Sequence, residues 1–344
     1  MSTALIYDDI YLKHYAGTFH PERAERLSYT MEYLKKKGIL SGVDVIKPKK
    51  ACVEDIKRVH TGSHIDRIRD VSESGGGFID MDTHACSDTY DVALFAAGGL
   101  MSAVDAVMGG DHKNSFALVR PPGHHATSDC AMGFCFFNNV AVAIKYAMEK
   151  YNLGKAFLLD WDAHAFNGTA DIFYGTDSIL DVSIHQDPAI FYPGTGFMHQ
   201  SGTGRGKGYT VNIPVPPETG DADYIYIIDK FIIPAMRKFK PDIIFISSGI
   251  DSHKDDMISS LMLTDECYGA MTSRILGEAE NLCAGRVVVE LEGGYSLTAM
   301  ARSNYEILRA LLGEFDAVGS FGAPSEKARS LVCELKEKFP HLVL

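Results

Sequence analysis

The sequence predicts an α/β fold, with a parallel sheet held between two helical layers in a single domain spanning residues 1–344. Apolar, strand-like runs alternate with helical patterns through most of the chain. That order builds parallel sheets through helical crossovers. The runs FALV, DIIFI and VVV are continuous rather than alternating, as strands covered on both faces are. Polar groups follow four of the strands, and ligands of open parallel sheets bind beyond the carboxyl ends of the strands.

A first strand is expected at residues 3–7. The polar segment HYAGTFHPERAERL then leads into a helix over about 21–37, with Pro21 suited to its first turn and Leu27, Met31 and Leu34 on one face. A second helical pattern covers 51–71. SESGGG (72–77) reads as a flexible loop, and Asp82 lies in another. Residues 88–109 form a long helix of small residues that stops at Gly109-Gly110. The strand 115–119 runs directly into RPPGHHA. A helix over 131–150 carries Val140, Ala143, Ile144 and Ala147 on its apolar face. The strand 155–161 follows, then a short helix (169–174), a short strand (179–185) and a Gly-rich loop (187–208). A strand at 210–215, a helix at 221–239, a strand at 242–249, a helix at 265–283 and a strand at 286–291 complete the alternation. The segment 325–338 reads as an amphipathic helix. No Pro- or Ser-rich linker and no internal repeat divides the chain.

The chain has 344 residues, 46% of them hydrophobic, with a net charge of −12. This balance argues against nucleic acid as a partner, which wants a basic face; a cationic substrate suits the sign better. The seven cysteines show no CxxC spacing, so a reducing, cytoplasmic setting is expected. No apolar run reaches the ~18 residues expected of a membrane helix, and no membrane partner is expected. GTGRGKG (202–208) lacks the spacing and the Ser or Thr of a P-loop.

The chemistry gathers at strand ends. Asp160, Asp162 and His164 close an apolar run at alternating positions, so they can face one spot. Two acids and an imidazole brought together lose hydration, which a divalent cation compensates. Solvated acids at a surface strand end are the alternative. His124 and His125 follow strand 115–119, Asp251 ends strand 242–249, and Tyr295 follows strand 286–291 across Gly293-Gly294. Any one of these groups could be a packed or solvated side chain; four strands aiming such groups at one rim point to a site.

HPERAERL (20–27), RPPGHHA (120–126), AMGFCFFNN (131–139), DWDAH (160–164), SSGID (247–251) and EGGY (292–295) resemble the motif set of the zinc-dependent histone deacetylase family. That family includes prokaryotic histone-deacetylase-like amidohydrolases and acetylpolyamine amidohydrolases. The resemblance implies the arginase/deacetylase fold. It also implies a zinc-dependent amidohydrolase that removes acetyl or other short acyl groups from lysine side chains or related amines, with acetylpolyamines as the alternative substrates. Asp162, His164 and Asp251 would be the zinc ligands, a set that leaves a coordination position open and that also admits Fe(II) or Co(II). His125 would act as general base and then acid, and His124 would assist it electrostatically. Asp160 would orient His124, and Asn167 would orient His125. Tyr295 would donate to the acyl oxygen. Phe134, Gly133 and Tyr192 match the narrow tunnel, and Asp82 the acid at its rim. Arg26 matches an interior position near the leaving acetate, with a helix-surface arginine as the alternative. The resemblance further implies potassium at Asp160, Asp162, His164 and Ser183, with a second site at Phe173 and Thr176.

The chain departs from the family at three places, one of them Tyr192, which stands where Phe is usual and adds a polar handle to the wall. DAHAFNGT puts Ala165 and Phe166 where a His and a Gly are usual, and Phe166 is expected to place bulk beside the site. Asp256-Met257-Ile258-Ser259 replaces Asp-Pro-Leu-Gly near the mouth. An arginase-like ureohydrolase would want more Asp ligands and has no use for His125 or Tyr295. A non-catalytic acyl-lysine binding module is the remaining alternative.

Overall fold

The computed structural model describes residues 2–316 and 320–343. Its centre is an eight-stranded parallel sheet, accompanied by a two-stranded hairpin. In chain order the strands are β1 (Ser2–Ile6), β2 (Val43–Ile46), β3 (Gly76–Phe78), β4 (His84–Cys86), β5 (His112–Ala117), β6 (Ala156–Asp160), β7 (Ile179–Gln186), β8 (Thr210–Val215), β9 (Ile243–Ser248) and β10 (Val287–Leu291). The large sheet runs β2-β1-β5-β10-β9-β6-β7-β8. The four strands that carry the expected chemistry, β5, β10, β9 and β6, are therefore contiguous at its centre. Strands β6, β9 and β10 are buried along their whole length, which explains why their sequences do not alternate.

The helices are α1 (Glu25–Lys36), α2 (Val53–Ile56), α3 (Gly62–Glu73), α4 (Thr89–Met108), α5 (Asn139–Tyr151), α6 (Asn167–Phe173), α7 (Asp221–Ile227), α8 (Ile233–Phe239), α9 (Asp265–Cys283), α10 (Leu297–Leu311), α11 (Glu326–Lys338) and α12 (Pro340–Val343). One cluster of buried apolar side chains joins most of them to the sheet. Helix α4 is long and apolar enough, by length and composition, to cross a membrane, which corrects the expectation that no such stretch exists; most of it is buried inside the protein. Its glycines explain the close fit. A Cβ on Gly98 would lie 2.0 Å from the Lys49 carbonyl oxygen, and one on Gly99 2.3 Å from the Tyr11 hydroxyl.

Several boundaries differ from the sequence reading. Residues 131–138 are turns rather than helix, because Gly133 and Phe134 both take positive φ, 56° and 68°. Helix α5 begins after Asn138, whose side chain accepts the amide of Ala141. The helix expected over 51–71 is two helices, parted before Thr61, which caps α3. The expected loop 72–77 ends in β3, which pairs antiparallel with β4. Pro21 lies before α1 rather than inside it. The helix over 221–239 widens into a π turn at Ile228–Ile232, just ahead of Pro234, which cannot donate a helical hydrogen bond. Strand β2 and helix α10 have no counterpart in the sequence reading.

A buried ionic network ties HPERAERL to the segment after β5. Arg120 grips Glu22 with two bonds, Nε to Oε1 at 2.5 Å and Nη2 to Oε2 at 2.8 Å. Arg120 also donates to the carbonyls of Tyr11 and His14. Burial would raise the Glu22 carboxyl, but Arg120 and His14 hold it well below the usual range. Removing one partner of such a pair costs about 3–5 kcal/mol.

Candidate metal centre and active site

Strand β6 ends at Asp160, and two tight turns follow. The Asp162 amide donates to Asp160 Oδ1 and the His164 amide to Asp162 Oδ1, at 2.9 and 2.8 Å. These turns present Asp162 and His164 to Asp251, which follows β9. The ligand atoms of Asp162, His164 and Asp251 lie within 4.8 Å of one another. His164 Nδ1 is 2.9 Å from Asp162 Oδ1 and 3.0 Å from Asp251 Oδ2. Asp251 Oδ1 accepts the Ala163 amide, whereas the buried Oδ2 has no hydrogen-bond partner. Two buried carboxylates with one unpartnered oxygen, facing one imidazole, make a donor set that fits a divalent cation. Burial alone would lower the His164 imidazole; Asp162 and Asp251 lift it to about 9. Burial and the neighbouring Asp162 push Asp251 up to about 6.

Glycines bring the backbone close. A Cβ on Gly249 would lie 2.1 Å from Asp162 Oδ2, and one on Gly293 2.5 Å from the same atom. The Gly293 amide donates to that oxygen at 2.9 Å.

The tandem histidines follow β5 and stand beside this cluster. His124 Nδ1 lies 3.0 Å from Asp160 Oδ2, and His125 Nδ1 lies 2.6 Å from Asn167 Oδ1. Each histidine thus donates through Nδ1 to the partner expected of it. Their electrostatics diverge. Burial favours neutral rings at both; at His124 the charges of Asp162, Asp160 and Glu292 outweigh it and raise the pKa well above the usual value. At His125 burial is joined by His124 and His164, and the pKa falls well below the usual value.

A cavity of about 200 Å³ opens onto these groups, lined by His124, His125, His164, Gly133, Phe134, Tyr192, Tyr295 and Asp82, with Pro122, Ile258 and Gly293. Phe134 meets Tyr295 edge-on, ring centres 5.8 Å apart. Tyr192 stands edge-on to His125 at 5.1 Å. Gly133 is required: φ is +56°, and a Cβ would fall 2.4 Å from the His125 ring. Burial raises the Tyr295 hydroxyl well above its usual pKa. Arg26 is buried rather than on a helix surface. It donates to the carbonyls of Gly294 and Glu292 at 2.6 and 2.5 Å, and its guanidinium sits 5.1 Å from the Tyr295 ring centre. Ser183 pairs in register with Asp160 on β7 and β6. Phe173 and Thr176 lie apart from the cavity, at the end of α6 and in the turn after it, joined by a 3.1 Å bond from the Thr176 amide to the Phe173 carbonyl.

Phe166 does not crowd the site. It is fully buried in the main core and does not line the cavity, because the backbone before α6 turns it inward. Ala165 faces a separate pocket with Asn167 and Asn212.

Three further contributors are absent from the sequence reading. Glu292 Oε2 accepts the amides of Gly123 and His124 at 2.7 and 3.3 Å; burial, opposed by His124, leaves its carboxyl raised to about 7. Asp256 Oδ2 accepts the amides of Tyr295 and Ser296 at 2.5 and 2.8 Å. Phe191 stacks on His164 at 4.5 Å. An acid in a loop reads as solvated, so only the tertiary structure reveals the first two.

The comparisons agree with this geometry. Residues 20–311 match the histone deacetylase domain. A probable deacetylase of Archaeoglobus fulgidus is 44% identical, over 91% of this chain and 87% of that protein. A histone deacetylase-like amidohydrolase of Pseudomonas aeruginosa is 33% identical, over 92% of this chain and 87% of that protein. The crystal structure of the HDA15 HD domain superimposes with a TM-score of 0.92 at 34% identity, covering 99% of this chain and 98% of that one. The sheet order, the strand-end cluster and these matches together show that the chain belongs to the histone deacetylase family.

Proposed function

We propose that this deacetylase acts as a zinc-dependent amidohydrolase, removing acetyl or other short acyl groups from lysine side chains or related amines. The observation that carries the reading is the cluster of Asp162, His164 and Asp251, whose His164 lines one cavity together with His125 and Tyr295. A divalent ion held by the three ligands supplies Lewis acidity and lowers the pKa of water. Two carboxylates neutralise it, and Fe(II) or Co(II) suits the same donors.

The remaining work falls to the chain. Phe134 and Tyr192 flank the methylenes of the substrate stem, with Asp82 at the rim. His125 commits Nδ1 to Asn167, which leaves Nε2 free to take a proton from water and to return it to the departing amine. His124, whose pKa is raised well above the usual value by the charges of Asp162 and Asp160, stabilises charge developing nearby. Tyr295 keeps its proton and donates it in a hydrogen bond to the acyl oxygen. Arg26 holds the Gly294 turn that carries Tyr295. A monovalent cation beside Asp160, Asp162, His164 and Ser183, with a second at Phe173 and Thr176, belongs to the same proposal, as does a reducing cytoplasmic location, which the free cysteines suit.

The test is turnover by the zinc-reconstituted protein of an acetyl-lysine peptide and of acetylputrescine, side by side, with Tyr295→Phe as control. Peptide turnover lost in the control supports the reading. Turnover of acetylputrescine alone moves the substrate to polyamines. Zinc bound without turnover of either overturns it.

A further inference from the structure

The most exposed large apolar side chains of the described residues are Phe19 at 100%, Met257 at 97% and Met81 at 95%. They come from three separate loops, and each sits one residue before a group at the cavity. His20 packs edge-on against Phe134 at 4.6 Å, while Asp82 and Ile258 line the cavity itself. A fourth loop adds Ile190, 67% exposed, two residues before Tyr192. Single exposed apolar residues scatter over any surface. Here the three most exposed each adjoin, in sequence, a residue at one cavity, and exposed apolar patches mark interaction surfaces.

The charge beside them narrows the occupant. Asp80 and Asp82 stand among these side chains, and neither forms an ion pair among the described residues; Asp80 accepts the Met81 amide and Asp82 the Thr83 hydroxyl. A second copy of this acidic chain, docked mouth to mouth, would set these carboxylates against each other. A polyamine offers charge, yet only a thin methylene chain to cover apolar groups spread around the opening. An extended polypeptide offers amide N–H groups for the acids and side chains on both sides of the modified lysine for the apolar collar.

We propose that Phe19, Met81, Met257 and Ile190 form a collar that selects acyl-lysine within an extended polypeptide segment bearing large apolar residues next to the lysine. The proposal rests on the deacylase reading above and names its substrate class. The test compares two zinc-supported peptide reactions, with acetyl-lysine flanked on both sides by leucine or on both sides by glycine, together with acetylputrescine. Wild type should favour the leucine-flanked peptide roughly tenfold in kcat/KM, chiefly through KM, as partial burial of two side chains predicts. The triple variant Phe19→Ser/Met81→Ser/Met257→Ser should bring that ratio close to one. Equal turnover of both peptides by wild type, a ratio unchanged in the triple variant, or acetylputrescine turned over fastest would each overturn the collar. Sedimentation showing a wild-type dimer that the triple variant dissociates would assign the surface to self-association and overturn it as well. Turnover of none of the three substrates removes the deacylase reading, and the collar with it.

Discussion

Nδ1 of His125 and Oδ1 of Asn167 lie 2.6 Å apart, while the neighbouring His124 faces the carboxylate of Asp160. Burial lowers both rings, but the charges of Asp162 and Asp160 raise His124, while His125, facing an amide, is lowered further by His124 and His164, so adjacent rings of identical chemistry reach opposite protonation preferences. Asn167→Asp places a charge behind His125 and raises its basicity. The acid limb of the kcat/KM profile should then move up by about one pH unit. A profile that stays in place would show that His125 is not the group titrating there.

Tyr295→Phe removes one donor aimed into the cavity and leaves its walls in place. Loss of such a donor costs roughly 100- to 1000-fold in kcat. Metal content measured by elemental analysis should stay at the wild-type level, which separates the donor from the metal site.

Metal removal should act on folding as well as on rate. Chelation should abolish turnover, and zinc should restore it. At 100 times the dissociation constant a ligand stabilises the fold by about 2.7 kcal/mol, so the thermal midpoint should rise on reloading. Asp251→Ala should lose bound metal in elemental analysis and show no such rise.

Asp256→Ala leaves the amides of Tyr295 and Ser296 without their shared acceptor. A buried unpaired donor costs about 1–3 kcal/mol, and the displaced turn carries the Tyr295 hydroxyl. We expect kcat to fall by more than tenfold with KM little changed, and Asp256→Asn to recover part of the loss. Equal effects on kcat and KM would argue that Asp256 merely supports the mouth.

His60 provides a pH test of stability remote from the metal ligands. Its Nε2 accepts the Asn138 amide at 2.9 Å, and burial, reinforced by His64, depresses its pKa to about 3. The folded value lies below the unfolded one, so its contribution is present above about pH 6.5 and is lost as pH falls towards 3, by at most about 1.4 kcal/mol per pH unit. His60→Gln keeps an acceptor without the titration. Urea unfolding at pH 4.5 and 7 should show a smaller difference between the two pH values for the variant than for wild type.

The centre of the sheet was legible because β6, β9 and β10 carry unbroken apolar runs, and the end of β5 opens another, FALV, with polar groups just past each. The metal and histidine clusters were legible for the same reason. Strand β2 was not, since half of its four residues are exposed and its pairing with β1 is non-local. The start of α5 was misread because apolar content continues back through 131–137, while the positive φ of Gly133 and Phe134 breaks the helix. Helix α10 carries Met300, Ile307, Leu308 and Leu311 at helical spacing, a signal that periodicity alone contains. Glu292 and Asp256 could not be read, since their partners are backbone amides supplied by other segments. Phe166 was placed beside the site by its position in the motif, whereas the turn before α6 sends it into the core.

Asp162 and His164 follow β6, and Asp251 follows β9, the strand that sits between β6 and β10. The chain between them first travels out through β7 and β8 before returning. During synthesis, two ligands leave the ribosome well ahead of the third, and a two-ligand half-site holds a divalent ion only weakly. A divalent ion at this site would therefore be captured only once β9 is inserted.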